Sequence, residues 1–257
     1  PAIEAVLIAA TMLGAVNFAS HFAMAREKSP KPYWRDEEAR AMLTILAASI
    51  AAASVYMWQQ GYYTPLEALR YVSFNFVSIG LANGFANADF ATWPLSEVGT
   101  WPLINISGML FLSNVLANAG SMGGGIKMAR ALVLAKFSLR EVSLLLHPNA
   151  VRTVKLNRRS ISDRTAMAVM AFIFVYFMTV VIFTLGLLAS GMDFITALSA
   201  TIACITNAGP GLGSVGPAGS YANLADIQKW LCAAVMLLGR LEIFTVFMLF
   251  TPAYWRK

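Results

Sequence analysis

Two short stretches carry the residue types that could do chemistry here. One is Leu81-Ala82-Asn83-Gly84, followed by Phe85; the other is Thr206-Asn207-Ala208-Gly209, which continues as Pro210-Gly211-Leu212-Gly213. Four of the eight residues from Thr206 to Gly213 are Gly or Pro, so no helix runs through them. Apolar segments flank both stretches. In lipid, non-helical backbone is tolerated only where it is buried in protein or lines a watery cavity. The chemistry open to such backbone is cation coordination. Rows of carbonyl oxygens replace the hydration shell of a small ion, and a short helix turns its negative C-terminal end toward it.

Two further features sit near these stretches. Gly120-Ser121-Met122-Gly123-Gly124-Gly125-Ile126-Lys127 interrupts a long apolar run. It is not a Walker loop, because Ile126 separates Gly125 from Lys127 and Met128 follows. Close helix packing needs fewer than three successive glycines, so the stretch reads as a flexible intramembrane loop near the cytoplasmic half of a pore. Arg240, in Leu237-Leu238-Gly239-Arg240-Leu241-Glu242, falls inside the last apolar segment. An arginine at that depth faces a cavity or a partner, and the carbonyls of the 120–125 loop are candidates. His21 and Asn17 read as interhelical polar groups rather than ligands. No His/Cys/Asp cluster has metal-site spacing, and no nucleophile–base constellation or paired carboxylates stand out, so the chain reads as a non-enzyme without a cofactor of its own.

The elements that must position these residues follow from composition. Of 257 residues, 58% are hydrophobic and 12% are charged, about half the charge of a soluble domain; mean hydropathy is +0.63. This is an all-α integral membrane protein. The net charge of +6 is concentrated at 26–40, 127–164 and the C-terminus, which reads as topology rather than a nucleic-acid surface. The chain opens on Pro1 inside an apolar run, without a secretory leader, and reads as part of a longer chain.

Spans are expected at 2–25, 41–58, 100–127, 166–189 and 229–250. Between them lie two helices too short to cross. One, over 65–78, opens with the capping-box residues Thr64, Pro65 and Glu67. The other, over 193–204, has Asp193 in its first turn. Each leads into a Gly-turn, the pattern of a re-entrant pore loop. Asp89-Phe90-Ala91-Thr92-Trp93-Pro94 then returns to the interface. This count puts the basic clusters on one side, cytoplasmic by charge, with Asp89, Glu97, Asp193, Asp226 and Lys229 opposite. Residues 41–135 and 166–250 repeat the same order: span, short helix, Gly-turn, span. The basic segment 136–165 reads equally as an ordinary loop or a docking surface.

At these residues the sequence resembles the TrkH/KtrB family of bacterial potassium transporters, and its TrkH branch more closely. The resemblance rests on Asn207–Gly213, on Gly120–Lys127, and on Leu237–Phe244 with Leu249-Phe250-Thr251-Pro252. Val16-Asn17-Phe18 with His21, Arg35-Asp36-Glu37-Glu38, and Asn83-Gly84-Phe85 with Asp89-Phe90 and Trp93-Pro94 support it. The family fold is potassium-channel-like, with four span–pore helix–span repeats around one pore. The resemblance therefore implies that 1–25 closes a preceding repeat, 41–135 is the third repeat, 136–165 a cytoplasmic loop and 166–255 the fourth repeat. It implies K⁺ uptake in the bacterial inner membrane through filter residues Leu81, Ala82, Asn83 and Gly84 with Thr206, Asn207, Ala208 and Gly209. Gly120, Gly123, Gly124 and Gly125 would form the gating loop and Arg240 the arginine below the filter. The third-repeat filter reads Leu-Ala-Asn where the family often carries threonine; carbonyl coordination tolerates that. The resemblance also implies a homodimer and a cytoplasmic nucleotide-binding regulatory subunit, TrkA-like, with the nucleotide on that partner.

Channel and Na⁺- or H⁺-coupled symporter both remain open. So does a secondary transporter of another class, with broken helices around a midplane site. Same-direction repeats favour the pore, since such transporters usually carry inverted ones. An intramembrane enzyme or assembly scaffold would require a constellation that does not stand out.

Overall fold

The apolar runs fold into helices that stop where Gly, Pro or Asn interrupts them. A computed structural model describes residues 1–90, 103–121, 123–150, 152–157, 159–241, 243–249 and 251–255. The sequence readings at Trp93-Pro94, Glu97, Met122, Arg158, Glu242 and Phe250 lie outside the described residues.

The first apolar run is not one straight helix. Helix α1 (Ala2–Ala15) and helix α2 (Phe18–Glu27) meet at a 95° bend within the segment expected to cross over 2–25. The break falls at Asn17, whose side chain caps α2 by accepting the Ala19 N–H at 2.9 Å. His21 is bonded to protein on both sides, to the Leu13 carbonyl at 2.8 Å and the Tyr33 hydroxyl at 2.6 Å. After the short α3 (Lys31–Arg35), Asp36 caps α4 (Glu37–Gln59), accepting the Glu38 N–H at 3.0 Å. The 23 residues of α4 are long and apolar enough to cross a membrane, as are the 27 of α8 (Asp163–Ala189).

Helix α5 (Pro65–Gly80) opens with the expected capping box between Thr64 and Glu67. Beyond it, α6 (Leu103–Val115) and α7 (Met128–Leu146) flank the glycine-rich loop. Because α7 continues to Leu146, the first third of the segment expected to be a loop from 136 is helical. A two-residue hairpin follows, β1 (Lys155–Leu156) antiparallel to β2 (Arg159–Ser160), with Lys155 opposite Ser160. Helix α9 (Phe194–Thr206) starts after Asp193, which is its N-cap rather than a first-turn residue. The final apolar run is broken too: α10 (Asp226–Arg240) ends at Arg240, α11 covers Ile243–Leu249 and α12 covers Pro252–Trp255. The segment expected to span over 229–250 is thus carried by α10 and α11 in succession.

Helix α7 fixes the relative direction of α4 and α8. Its Lys136 pairs with Glu37 in the first turn of α4 and donates to the Lys155 carbonyl at 2.8 Å. One turn later its Arg140 pairs with Asp163 in the first turn of α8. Both long helices therefore start from the same side. The helices around each Gly-turn have their own core. Met42, Met57, Val72, Ile79 and Met109 pack between α4, α5 and α6, while Phe172, Tyr176, Ala200, Ile205 and Val235 pack between α8, α9 and α10. Helix α9 is buried on several faces because Ala197, Ser199, Ala200, Thr201, Ala203 and Cys204 are small and let neighbours approach. Its hydroxyls turn back on its own backbone, Thr201 to the Ala197 carbonyl at 2.9 Å and Thr206 to the Ile202 carbonyl at 2.8 Å.

Candidate ion-conducting site

The two Gly-turns at the ends of α5 and α9 are built alike. At the first, the N–H groups of Asn83 and Gly84 both point back to the Ser78 carbonyl, at 2.7 and 3.4 Å. At the second, those of Ala208 and Gly209 point back to the Ala203 carbonyl, at 2.9 and 3.4 Å. The preceding N–H matches as well: Ala82 bonds Ile79 and Asn207 bonds Cys204, each at 3.1 Å. The torsions repeat the pattern. Ala82 and Asn207 have φ of 59° and 58°, and Gly84 and Gly209 have 87° and 97°. A non-glycine side chain is strained at the latter values. Because these donors are spent within each turn, the groups left to meet an ion are carbonyl oxygens.

The turns lie against one another. A side-chain carbon on Gly84 would run into the Ala208 carbonyl oxygen, so glycine is the residue that lets them meet. At Gly209 the corresponding direction is open, with nothing within 4 Å. Neighbours outside the turns hold each in place. The Asn83 carboxamide donates to the Thr11 hydroxyl of α1 at 2.6 Å. The Tyr221 hydroxyl donates to the Gly209 carbonyl at 2.9 Å, and the Leu212 N–H donates to the Ser199 hydroxyl at 2.8 Å. At the entrance of α5, outside the long spans, the Thr64 hydroxyl and N–H hold the Glu67 carboxyl below the usual carboxylate range.

The loop between α6 and α7 packs against both turns. The Gly124 N–H donates to the Thr206 carbonyl at 3.2 Å, and a side-chain carbon at 124 would lie only 2.7 Å from that oxygen. At Gly123 it would lie 3.7 Å from the Leu81 carbonyl. The loop read as flexible is anchored at several points. Ile126 bonds the Asn114 carbonyl at 2.7 Å, Met128 the Ala117 carbonyl at 2.8 Å and Asn118 the Ala15 carbonyl at 3.3 Å. The Ala119 N–H donates to the buried Glu38 carboxylate at 3.1 Å. Gly120 packs beside Asn17, and Gly125 beside the Asn114 carbonyl.

Arg240 ends α10 and is exposed, directly after Gly239, which abuts the Ile205 carbonyl just before Thr206. It thus marks the end of a helix. Glu38, Thr11, Ser199 and Tyr221 were not expected as site residues. Glu38 carried a faint signal, an acid at the start of an apolar run; nothing local to the other three distinguishes them from neighbouring hydroxyls.

A family model described as TrkH, cation transport protein, matches residues 1–257. The Trk system potassium uptake protein TrkH of Halomonas elongata is 40% identical over 257 residues, which cover 100% of this chain and 51% of that protein. The protein of the same name from Escherichia coli strain K12 is 33% identical over 258 residues, again 100% of this chain and 51% of its own length. The crystal structure of the potassium transporter TrkH from Vibrio parahaemolyticus aligns with a TM-score of 0.90 and 37% identity, over 99% of this chain and 53% of that one. The chain spans about half the length of the curated relatives it matches.

Proposed function

This chain belongs to the TrkH family of cation transport proteins, and from that premise we propose that it contributes two carbonyl-lined quadrants to a potassium-uptake pore in a bacterial inner membrane. The observation that carries the reading is the shared geometry of the two turns. Leu81–Gly84 and Thr206–Gly209 spend matched N–H groups inward and adopt matched left-handed torsions. Carbonyl dipoles then replace ion hydration, helped by the partial negative ends of α5 and α9. Potassium is the ion because similar proteins named Trk system potassium uptake protein cover this chain throughout.

The glycine loop serves as the gate. Gly124 occupies one lone pair of the Thr206 carbonyl, and Gly123 lies beside Leu81. With Gly120 and Gly125 this hinge closes the intracellular end of the filter, and Arg240 adds positive charge that opposes cation passage. The polar cluster of Lys136, Arg140, Lys155 and Asp163 lies on the side from which both long helices start. It is the surface where a cytoplasmic nucleotide-binding regulator would engage, in a homodimeric assembly.

The rival is a secondary transporter with inverted repeats. The anchoring of α4 and α8 one turn apart on α7 weighs against it, because inverted repeats would start these helices from opposite sides.

The test is K⁺-limited growth of a bacterium lacking its own uptake systems, supplied with the full-length parent, its Gly84→Ser and Gly209→Ser variants, and an Arg240→Ala variant. Rescue by wild type, loss or Na⁺ sensitivity in the glycine variants, and faster uptake in Arg240→Ala are expected. Equal rescue by both well-expressed glycine variants would overturn the filter assignment.

A further inference from the structure

A cavity of about 460 Å³ lies between α6, α8 and α9; its lining reaches Ser199 and Leu212 but none of the residues Leu81–Gly84 or Thr206–Gly209. Its wall includes Phe111, Asn114, Ile126, Tyr176, Phe177 and Leu198. Tyr176 is the fourteenth of the 27 residues of α8, so the cavity lies at the middle of a span. Phe111 and Phe177 at its edge are 68% and 52% exposed, and α8 continues that apolar face with Phe174, Val181, Ile182 and Leu185. An opening at this depth faces hydrocarbon wherever no other protein segment covers it.

The polar groups in the wall already have partners. The Tyr176 hydroxyl donates to the Asn114 side-chain oxygen, and the Asn114 amide donates to the Leu110 carbonyl at 2.6 Å. The Ser199 hydroxyl accepts from Leu212 and donates to the Thr196 carbonyl at 3.2 Å. A buried water needs two to four polar partners, and these groups offer it few. An empty void forfeits dispersion contacts along its lining. An apolar acyl chain, available at the depth of a span, satisfies both conditions.

We propose that this cavity is a binding site for a phospholipid acyl chain, which enters laterally between α6 and α8 and ends against Ile126. Ile126 is held by the Asn114 carbonyl, and Asn114 by Tyr176, so the chain end touches the anchor of the glycine loop. The occupant is specified by apolarity and access, and the site does not depend on which ion the protein carries.

The experiment uses the full-length protein in nanodiscs containing phosphatidylglycerol with a diazirine at the acyl terminus. After irradiation, adducts are mapped by mass spectrometry. Adducts are expected on peptides carrying Ile126 and Leu198 as well as on the outer face of α8 at Phe174 and Ile182. Filling the cavity by Leu198→Trp, or independently by Ile195→Trp, should abolish the Ile126 adduct and leave the outer-face adducts. Labelling of the outer face alone in the wild type would overturn the site, since another protein segment would then cover it. So would an Ile126 adduct that persists in both folded tryptophan variants.

Discussion

The backbone N–H of Gly124 donates to the carbonyl oxygen of Thr206 across 3.2 Å, joining the glycine loop to the last residue of α9. The two residues are far apart in sequence, with α7 and α8 between them in the chain. Their bond puts a loop donor on an oxygen that the proposed pore would offer to an ion. A carbonyl has two lone pairs, so the bond restricts that oxygen without removing it from coordination.

Gly124→Ala tests this bond directly. The residue has no left-handed torsion, so alanine brings only bulk, placed 2.7 Å from the Thr206 oxygen and 3.1 Å from that of Ile205. Losing one such hydrogen bond is worth about 0.5–1.5 kcal/mol, which shifts a closed–open equilibrium by up to roughly tenfold. Rubidium-tracer uptake by the full-length variant should rise accordingly. Unchanged uptake with normal membrane levels would remove the loop from gating.

Gly84→Ser and Gly209→Ser should differ. Both force a side chain into a left-handed torsion, a strain of about 1–2 kcal/mol. At Gly209 the added atoms meet open space, so the protein should fold and lose K⁺ over Na⁺ discrimination. At Gly84 they collide with the Ala208 carbonyl, so the neighbouring turn must shift as well. Thermal stability in detergent should fall further for Gly84→Ser; equal stability would contradict this packing.

Glu38 should act as an acceptor rather than as a charge. Glu38→Gln keeps an oxygen for the Ala119 N–H, whereas Glu38→Ala leaves that donor unpaired at about 1–3 kcal/mol. Hydrogen exchange of the 117–121 amides should accelerate in the alanine variant and stay near wild type in the glutamine variant. Equal acceleration in both would assign the effect to charge.

The capping box of α5 predicts a pH dependence. The Glu67 carboxyl is held below its ordinary range by the Thr64 hydroxyl and N–H. Its stabilisation is therefore present above about pH 4.3, the unperturbed value, and is lost as pH falls through the lowered folded value. The loss of melting temperature in Thr64→Ala should be full at neutral pH and shrink in acid. A pH-independent difference would mean that the ionised carboxylate contributes nothing to the cap.

Local signals along the chain settle the membrane class, the two short helices and the turns after them. Those features are local: hydropathy sets the spans, Thr64 and Glu67 set a cap, and Gly and Pro end helices wherever they stand. The α5 helix begins at Pro65 as its capping residues require. Tertiary structure decided what local signals do not encode. Whether 2–25 bends depends on Asn17 finding the α2 N–H groups and a neighbour in Gly120. Whether 229–250 runs as one helix is likewise invisible in hydropathy, because the residues before Arg240 and those from Ile243 onward are both apolar. The loop over 120–127 reads as flexible because glycine signals conformational permission, whereas the anchors of this region at Ala15, Glu38, Asn114 and Thr206 come from elsewhere in the chain. The close match of the two turns was also hidden. Backbone hydrogen bonds and torsions repeat there while Leu-Ala-Asn and Thr-Asn-Ala do not, since carbonyl geometry belongs to the backbone and leaves side-chain identity largely open.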